Sequence, residues 1–128
     1  MASTNTPALS RLSATAGGLV LLMLLQLGMG IGILSSGNGL RDAHGGIGYL
    51  FFLVCAVAAF FAWQLSKADA SAKGVFFHAL SLPVLAILQI GLSEMDGMKW
   101  VHVVLGVALL VDALGLFMMT RKRSGATV

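Results

Sequence analysis

Charge is scarce in this chain. Asp, Glu, Lys and Arg make up 10% of its 128 residues, against about 25% in an average soluble domain. So few ions cannot cover a water-exposed globule, which excludes an ordinary soluble fold. Cysteine is nearly absent as well. Cys55 stands alone, which rules out an intrachain disulfide and any cysteine-cluster metal site. Proline occurs twice, at Pro7 and Pro83, so the long apolar stretches are seldom interrupted. No polar run is long enough to form a separate domain, and any chemistry must lie within the apolar segments or at their ends.

What the chain does have is apolar length. Hydrophobic residues make up 58% of it, and the mean hydropathy is +0.94. A bilayer core of roughly 30 Å needs about 20 apolar residues per helix, and residues 12–34, 44–65, 74–92 and 100–120 each meet that length. The first is longer than a signal-peptide core, so it is expected to be retained. The expectation is an all-α, single-domain membrane protein. Short connections make its four helices an antiparallel up-down-up-down bundle.

The net charge of +3 reads as a topology signal, not as a nucleic-acid footprint. Arg11, Lys67, Lys73, Arg121, Lys122 and Arg123 fall on one side of the four spans, and only Arg41 and Lys99 on the other. The positive-inside rule then places both termini in the cytoplasm and the chain in the inner (cytoplasmic) membrane. Met1–Ser10 reads as a lead-in, Asp42 as the N-cap of the second helix, and Ser35-Ser36-Gly37-Asn38-Gly39 as a turn. Pro83 is expected to kink the third helix. The Gly28-x-x-x-Gly32 spacing in the first helix allows a close helix approach.

Two short stretches repeat. Asp42-Ala43-His44-Gly45-Gly46-Ile47-Gly48 and Trp100-Val101-His102-Val103-Val104-Leu105-Gly106 each open a helix with a histidine and place a glycine four residues deeper. They are preceded by a second echo, Leu25-Gln26-Leu27-Gly28 and Leu88-Gln89-Ile90-Gly91. Helices two and four are diagonal partners in the expected bundle, so His44 and His102 would meet across its core at matched depth, near the outer face. Two neutral imidazoles so placed suit the axial positions of one heme iron. Gly48 and Gly106, one turn deeper on the same faces, would let a flat macrocycle approach the backbone. Arg41 and Lys99, with Asn38, could meet its propionates. Interfacial histidines with no ligand role are the plainer alternative.

Three further groups of residues stand out along the spans. Asp112, near the middle of the fourth helix, costs at least ~2.5 kcal/mol to insert in a bilayer, and His78 enters from the opposite side to a similar depth. A proton relay or a quinone contact is the sharper reading of this pair, and a structural hydrogen bond the plainer one. Gln26 and Gln89 read as interhelical hydrogen-bonding groups, with contact to the cofactor edge as the alternative. Trp63, Trp100 and Tyr49 read as interfacial anchors.

Taken together, Leu-Gln-x-Gly on odd helices and His-x-x-x-Gly opening even helices resembles one half of a heme A synthase, over roughly residues 25–116. The resemblance implies His44 and His102 as axial ligands of one b-type heme (heme b). The catalytic half of that family places a glutamate where this chain has Arg41, and many members carry an outer-loop cysteine pair that is missing here. The first expectation is therefore a heme protein exchanging electrons with quinol or a larger respiratory complex. The alternatives are a heme-free accessory or assembly subunit of such a complex, and a half-size heme A synthase working as a homodimer. The lipid bilayer is the one partner common to all three, and nucleic acid is a partner in none.

Overall fold

The computed structural model describes residues 6–125. Four helices form the chain: α1 (Pro7–Ser36), α2 (Arg41–Ala68), α3 (Lys73–Ser93) and α4 (Lys99–Arg123). Single 3-10 turns, Asn38–Leu40 and Ala70–Ala72, lead into α2 and α3. The shortest helix, α3, has 21 residues, and at about 1.5 Å per residue it still reaches the thickness of a bilayer core. All four helices are long and apolar enough to cross a membrane.

Helix ends differ from the sequence expectation in two places. α1 starts at Pro7, inside the supposed lead-in. Pro7 lacks only a donor that the first turn leaves unused, and the Thr6 hydroxyl accepts from the Leu9 amide at 3.3 Å. Leu9 and Leu12 are fully buried, so packing holds the added turn in place. The remainder of that lead-in, residues 1–5, lies outside the described residues. α2 starts at Arg41, so Asp42 is not its N-cap. That position falls to Leu40, which offers no side-chain bond. Asp42 lies in the first turn, where its carboxylate faces the positive end of the helix dipole. Gly37 closes α1 at φ 95°, a backbone state open chiefly to glycine.

The helices pack in the cyclic order α1–α2–α3–α4, with α4 returning to α1. The diagonal pairs, α1 with α3 and α2 with α4, bring no Cα atoms within 8 Å of each other. This is the expected antiparallel bundle. Inward stripes recur every three or four residues: Leu9, Leu12, Ala16, Leu19, Met23, Gln26 and Met29 line α1, while Leu109, Ala113, Leu116 and Thr120 line α4. The outward faces carry exposed Leu, Val and Phe side chains, the distribution of a bundle whose surroundings are apolar.

The core does not run the full length of the bundle. At the end where α1 begins and α4 ends it is closed by Leu65, Val75 and Thr120 together with Leu9. Toward the other end it stops at Met29, Phe51, Ala86 and Leu109. Beyond that level residues 41–50 of α2 and 99–108 of α4 continue with none of them buried, about 15 Å of helix each. The composition explains why. Gly28, Gly30, Gly32, Gly45, Gly46, Gly48, Gly91 and Gly106 all lie at this end and supply no side chains to close it. The packed end is tied by Arg123, whose guanidinium pairs with Asp69 at 3.1 Å and also donates to Ser71.

Candidate functional site

His44 is the fourth residue of α2 and His102 the fourth of α4. Their backbones are diagonal, yet their rings meet across the unpacked end, with centroids 6.1 Å apart and planes inclined at 58°. Two imidazoles on opposite sides of one metal, each nitrogen about 2.0 Å from it, have centroids about 6 Å apart. A spacing of 6.1 Å is compatible with one metal held between two rings and equally with plain ring-to-ring contact. Among the described residues no cluster of three or more His, Cys, Asp or Glu exists, so the protein offers a pair of donors and not a full metal cage.

The tautomer of His102 follows from its neighbours. Its Nδ1 lies 3.0 Å from the Gln89 carbonyl of α3. A carbonyl can only accept, so Nδ1 carries the proton and the neutral ring keeps a lone pair on Nε2. Gln89 closes the contact from its other end, its amide Nε2 donating to the His102 carbonyl at 2.8 Å. The matching half is looser. The Gln26 carbonyl of α1 faces His44 but falls outside hydrogen-bond geometry, leaving Nδ1 buried without a partner. His44 leans on α1 at Gly30, where a Cβ would meet its Cε1 at 3.6 Å.

Gly48 and Gly106 each face a glutamine. A Cβ on Gly48 would lie 3.1 Å from Gln26 Nε2, and one on Gly106 would lie 3.0 Å from Gln89 Nε2. The glycines thus make room for two glutamine amides. In each half a glutamine of the odd helix fits over the glycine of the even helix. The bond from Gln89 to His102 is the interhelical role expected of these residues. The orphaned acceptors Gln26 Oε1 and Gln89 Oε1, with His44 Nδ1, are the buried side-chain polar atoms left without partners among the described residues. All three lie at the histidine end. Such atoms are rare in finished interiors, so this end is the polar part of the bundle that its own residues leave incomplete.

Arg41 and Lys99 are not drawn inward. Both are exposed, and the Lys99 ammonium lies 5.5 Å from the centroid of the Trp100 ring, itself 66% exposed. That cation–π contact holds the lysine at the rim. Apolar side chains supply the nearer surroundings of the open end. Ile33, Ile47, Ile90, Val103 and Leu105 are only half-buried there.

His78 and Asp112 do meet. His78 Nε2 lies 2.8 Å from Asp112 Oδ1 and 2.9 Å from the Asp112 carbonyl, joining α3 to α4. Gly115 permits the approach, since a Cβ there would press on the imidazole at 3.3 Å. Ser81, one turn along from His78, shares its one hydroxyl proton between the His78 carbonyl at 2.6 Å and the second carboxylate oxygen at 2.9 Å. Ser81 was not singled out in the sequence, although its spacing of three from His78 put it on the same helix face. A surface groove of about 630 Å³ belongs to neither cluster. It runs along the exposed faces of α1 and α2 between Thr15, Gly18, Leu21 and Val54. Comparison with protein-family models, curated proteins and solved structures finds no match for this chain.

Proposed function

We propose that this protein is a membrane-embedded b-type heme protein. In this reading His44 and His102 are the axial ligands of one heme near the outer face of the inner membrane, and both termini lie in the cytoplasm. The observation that carries it is the 6.1 Å separation of the two rings at the unpacked end of the bundle. The donor chemistry agrees with it, because His102 is held in the tautomer that leaves Nε2 free to ligate. A heme bound there would supply a reversible one-electron couple whose potential follows from its two imidazoles and their surroundings.

The protein's own residues do the remaining work. Gln89 orients His102 through two bonds, and Gln26 occupies the matching place beside His44. Ile33, Ile47, Ile90, Val103 and Leu105 would be covered by a ring between the histidines and would keep water from it. The activity proposed is electron transfer with a membrane-dissolved carrier or a larger respiratory complex. The likeness of the repeated His-x-x-x-Gly openings to half of a heme A synthase supports the heme. Arg41, standing where the catalytic half of that family has its glutamate, favours electron transfer over heme oxidation.

The test is a reduced-minus-oxidised spectrum of protein purified from heme-supplied cells. A b-type α-band is expected, and it should disappear in both His44→Ala and His102→Ala while helix content by circular dichroism stays unchanged. A flat trace from the unmutated protein overturns the proposal.

A further inference from the structure

The His78 cluster has an open side. Nε2 faces two acceptors, the Asp112 carboxylate and the Asp112 carbonyl, so Nε2 carries the proton. In the neutral ring Nδ1 is then a bare acceptor. It has no hydrogen-bond partner among the described residues and is not sealed from the surroundings. The imidazole is 30% exposed and the carboxylate 16%. Asp112 is itself fixed by Ser81, so the ring is held from behind and offers one nitrogen outward. A carboxylate supporting one imidazole nitrogen while the other meets a ligand is the arrangement that makes histidine a strong acceptor.

The neighbourhood leaves room for a flat polar group. Helical side chains lean toward the helix N-terminus, so His78 lies over Gly74 on the same face. A Cβ built on Gly74 meets nothing within 4 Å. Phe77, beside it, is 65% exposed. His78 is five residues into α3, about 7.5 Å along the axis, which puts this opening just below the apolar–polar boundary of a spanning helix.

We propose that His78 and Asp112 form a docking site for the head group of a lipid-soluble hydroquinone, one of whose hydroxyls donates a hydrogen bond to His78 Nδ1. The argument is one of donors. An acceptor-only nitrogen at this depth selects a molecule that dissolves in hydrocarbon and still carries an O–H. An oxidised quinone offers only acceptors, and lipids whose head groups carry N–H or O–H donors are kept out of the test by using phosphatidylcholine nanodiscs. A hydroquinone offers the donor, a flat ring for the gap over Gly74, and an apolar tail for the bilayer. The inference names the carrier for the electron-transfer reading and rests on that reading for its consequence. The binding itself involves no electron transfer.

The probe is decylubiquinol, titrated anaerobically into the full chain in phosphatidylcholine nanodiscs and followed by calorimetry. Saturable binding is expected, at least tenfold tighter than that of decylubiquinone. His78→Phe removes the acceptor, and Gly74→Leu covers the open face beside the ring while leaving Asp112 and Ser81 in place. Each is expected to weaken hydroquinone binding at least tenfold. Equal binding of the two redox forms, unchanged binding by a folded His78→Phe or Gly74→Leu protein, or no saturable binding at all overturns the inference. The heme spectrum of the same samples reads the other proposal separately. A heme band without hydroquinone binding removes this site alone, and binding without a band removes only the heme.

Discussion

At the scale of the residue, Gly106 shows how the histidine end is assembled. A methyl group there would meet only the mobile end of Gln89, 3.0 Å away. That amide can move by a few tenths of an ångström, while alanine gains up to about 1 kcal/mol over glycine inside a helix. Gly106→Ala should therefore keep the heme band and hold or raise the thermal midpoint in detergent. Gly106→Leu has no such escape. It must expel the Gln89 amide from its bond to the His102 carbonyl, and so should weaken heme retention at an unchanged helix content. A spectrum lost in the alanine variant, or indifferent to leucine, would contradict this account. The register of the histidines was legible because a repeat of helix openings fixes depth before any coordinates exist. The glutamine amide beside each glycine was not, since it comes from a neighbouring helix. Lys99 stands at the outer rim where its place in the sequence put it, and its contact with the ring of Trp100 comes from the next residue in the chain.

At the scale of the element, the connections carry more information than the spans. Asp69 follows α2 and caps the 3-10 turn before α3, accepting from the Ser71 amide at 2.9 Å and the Ser71 hydroxyl at 2.7 Å. These two bonds, the hydroxyl first, hold its carboxyl below the ordinary carboxylate range, with the Arg123 guanidinium adding to the effect. A carboxyl depressed on folding stabilises the fold above its unfolded value of about 3.9 and loses that contribution as pH falls through the lower folded value. Asp69→Ala should thus melt below the unmutated protein at pH 7, and the gap should close as the pH is taken progressively below the unfolded carboxyl value of about 3.9. Thermal midpoints across that pH range decide the matter, and a gap that widens in acid would refute it. Spans of 20 or more apolar residues were plain in the sequence because a bilayer admits few other readings. Their ends were less so. Thr6-Pro7 is a helix-start signal that the Ser/Thr-rich lead-in disguised, and only the burial of Leu9 and Leu12 shows why the helix takes it. Asp42 had the right chemistry for a cap, but the 3-10 turn at Asn38–Leu40 had already begun the winding.

At the scale of the whole molecule, the division into a packed half and an open half sets what each can do. Leu9, Leu65, Leu82 and Leu116 close the half where α1 begins and α4 ends. The glycine-rich half holds His44 and His102 and has no buried residue in positions 41–50 or 99–108. Local opening is easiest where few apolar contacts must break, so amide exchange should be uneven along each helix. In heme-free protein, amides of residues 41–50 and 99–108 should exchange faster than those of residues 55–65 and 109–120 in the same helices. A bilayer or micelle shields both halves alike, which makes the comparison within one helix the informative one. Heme between His44 and His102 would join the diagonal helices and cover Ile47, Val103 and Leu105, slowing the fast segments selectively. Ligand binding stabilises the state that binds it, so the thermal midpoint should rise with heme concentration in the same samples. Exchange that is uniform along α2 and α4 without heme would show that the open half is packed by other means. Uneven exchange that heme leaves unchanged would show that the gap between the two histidines is filled by something other than a shared ring.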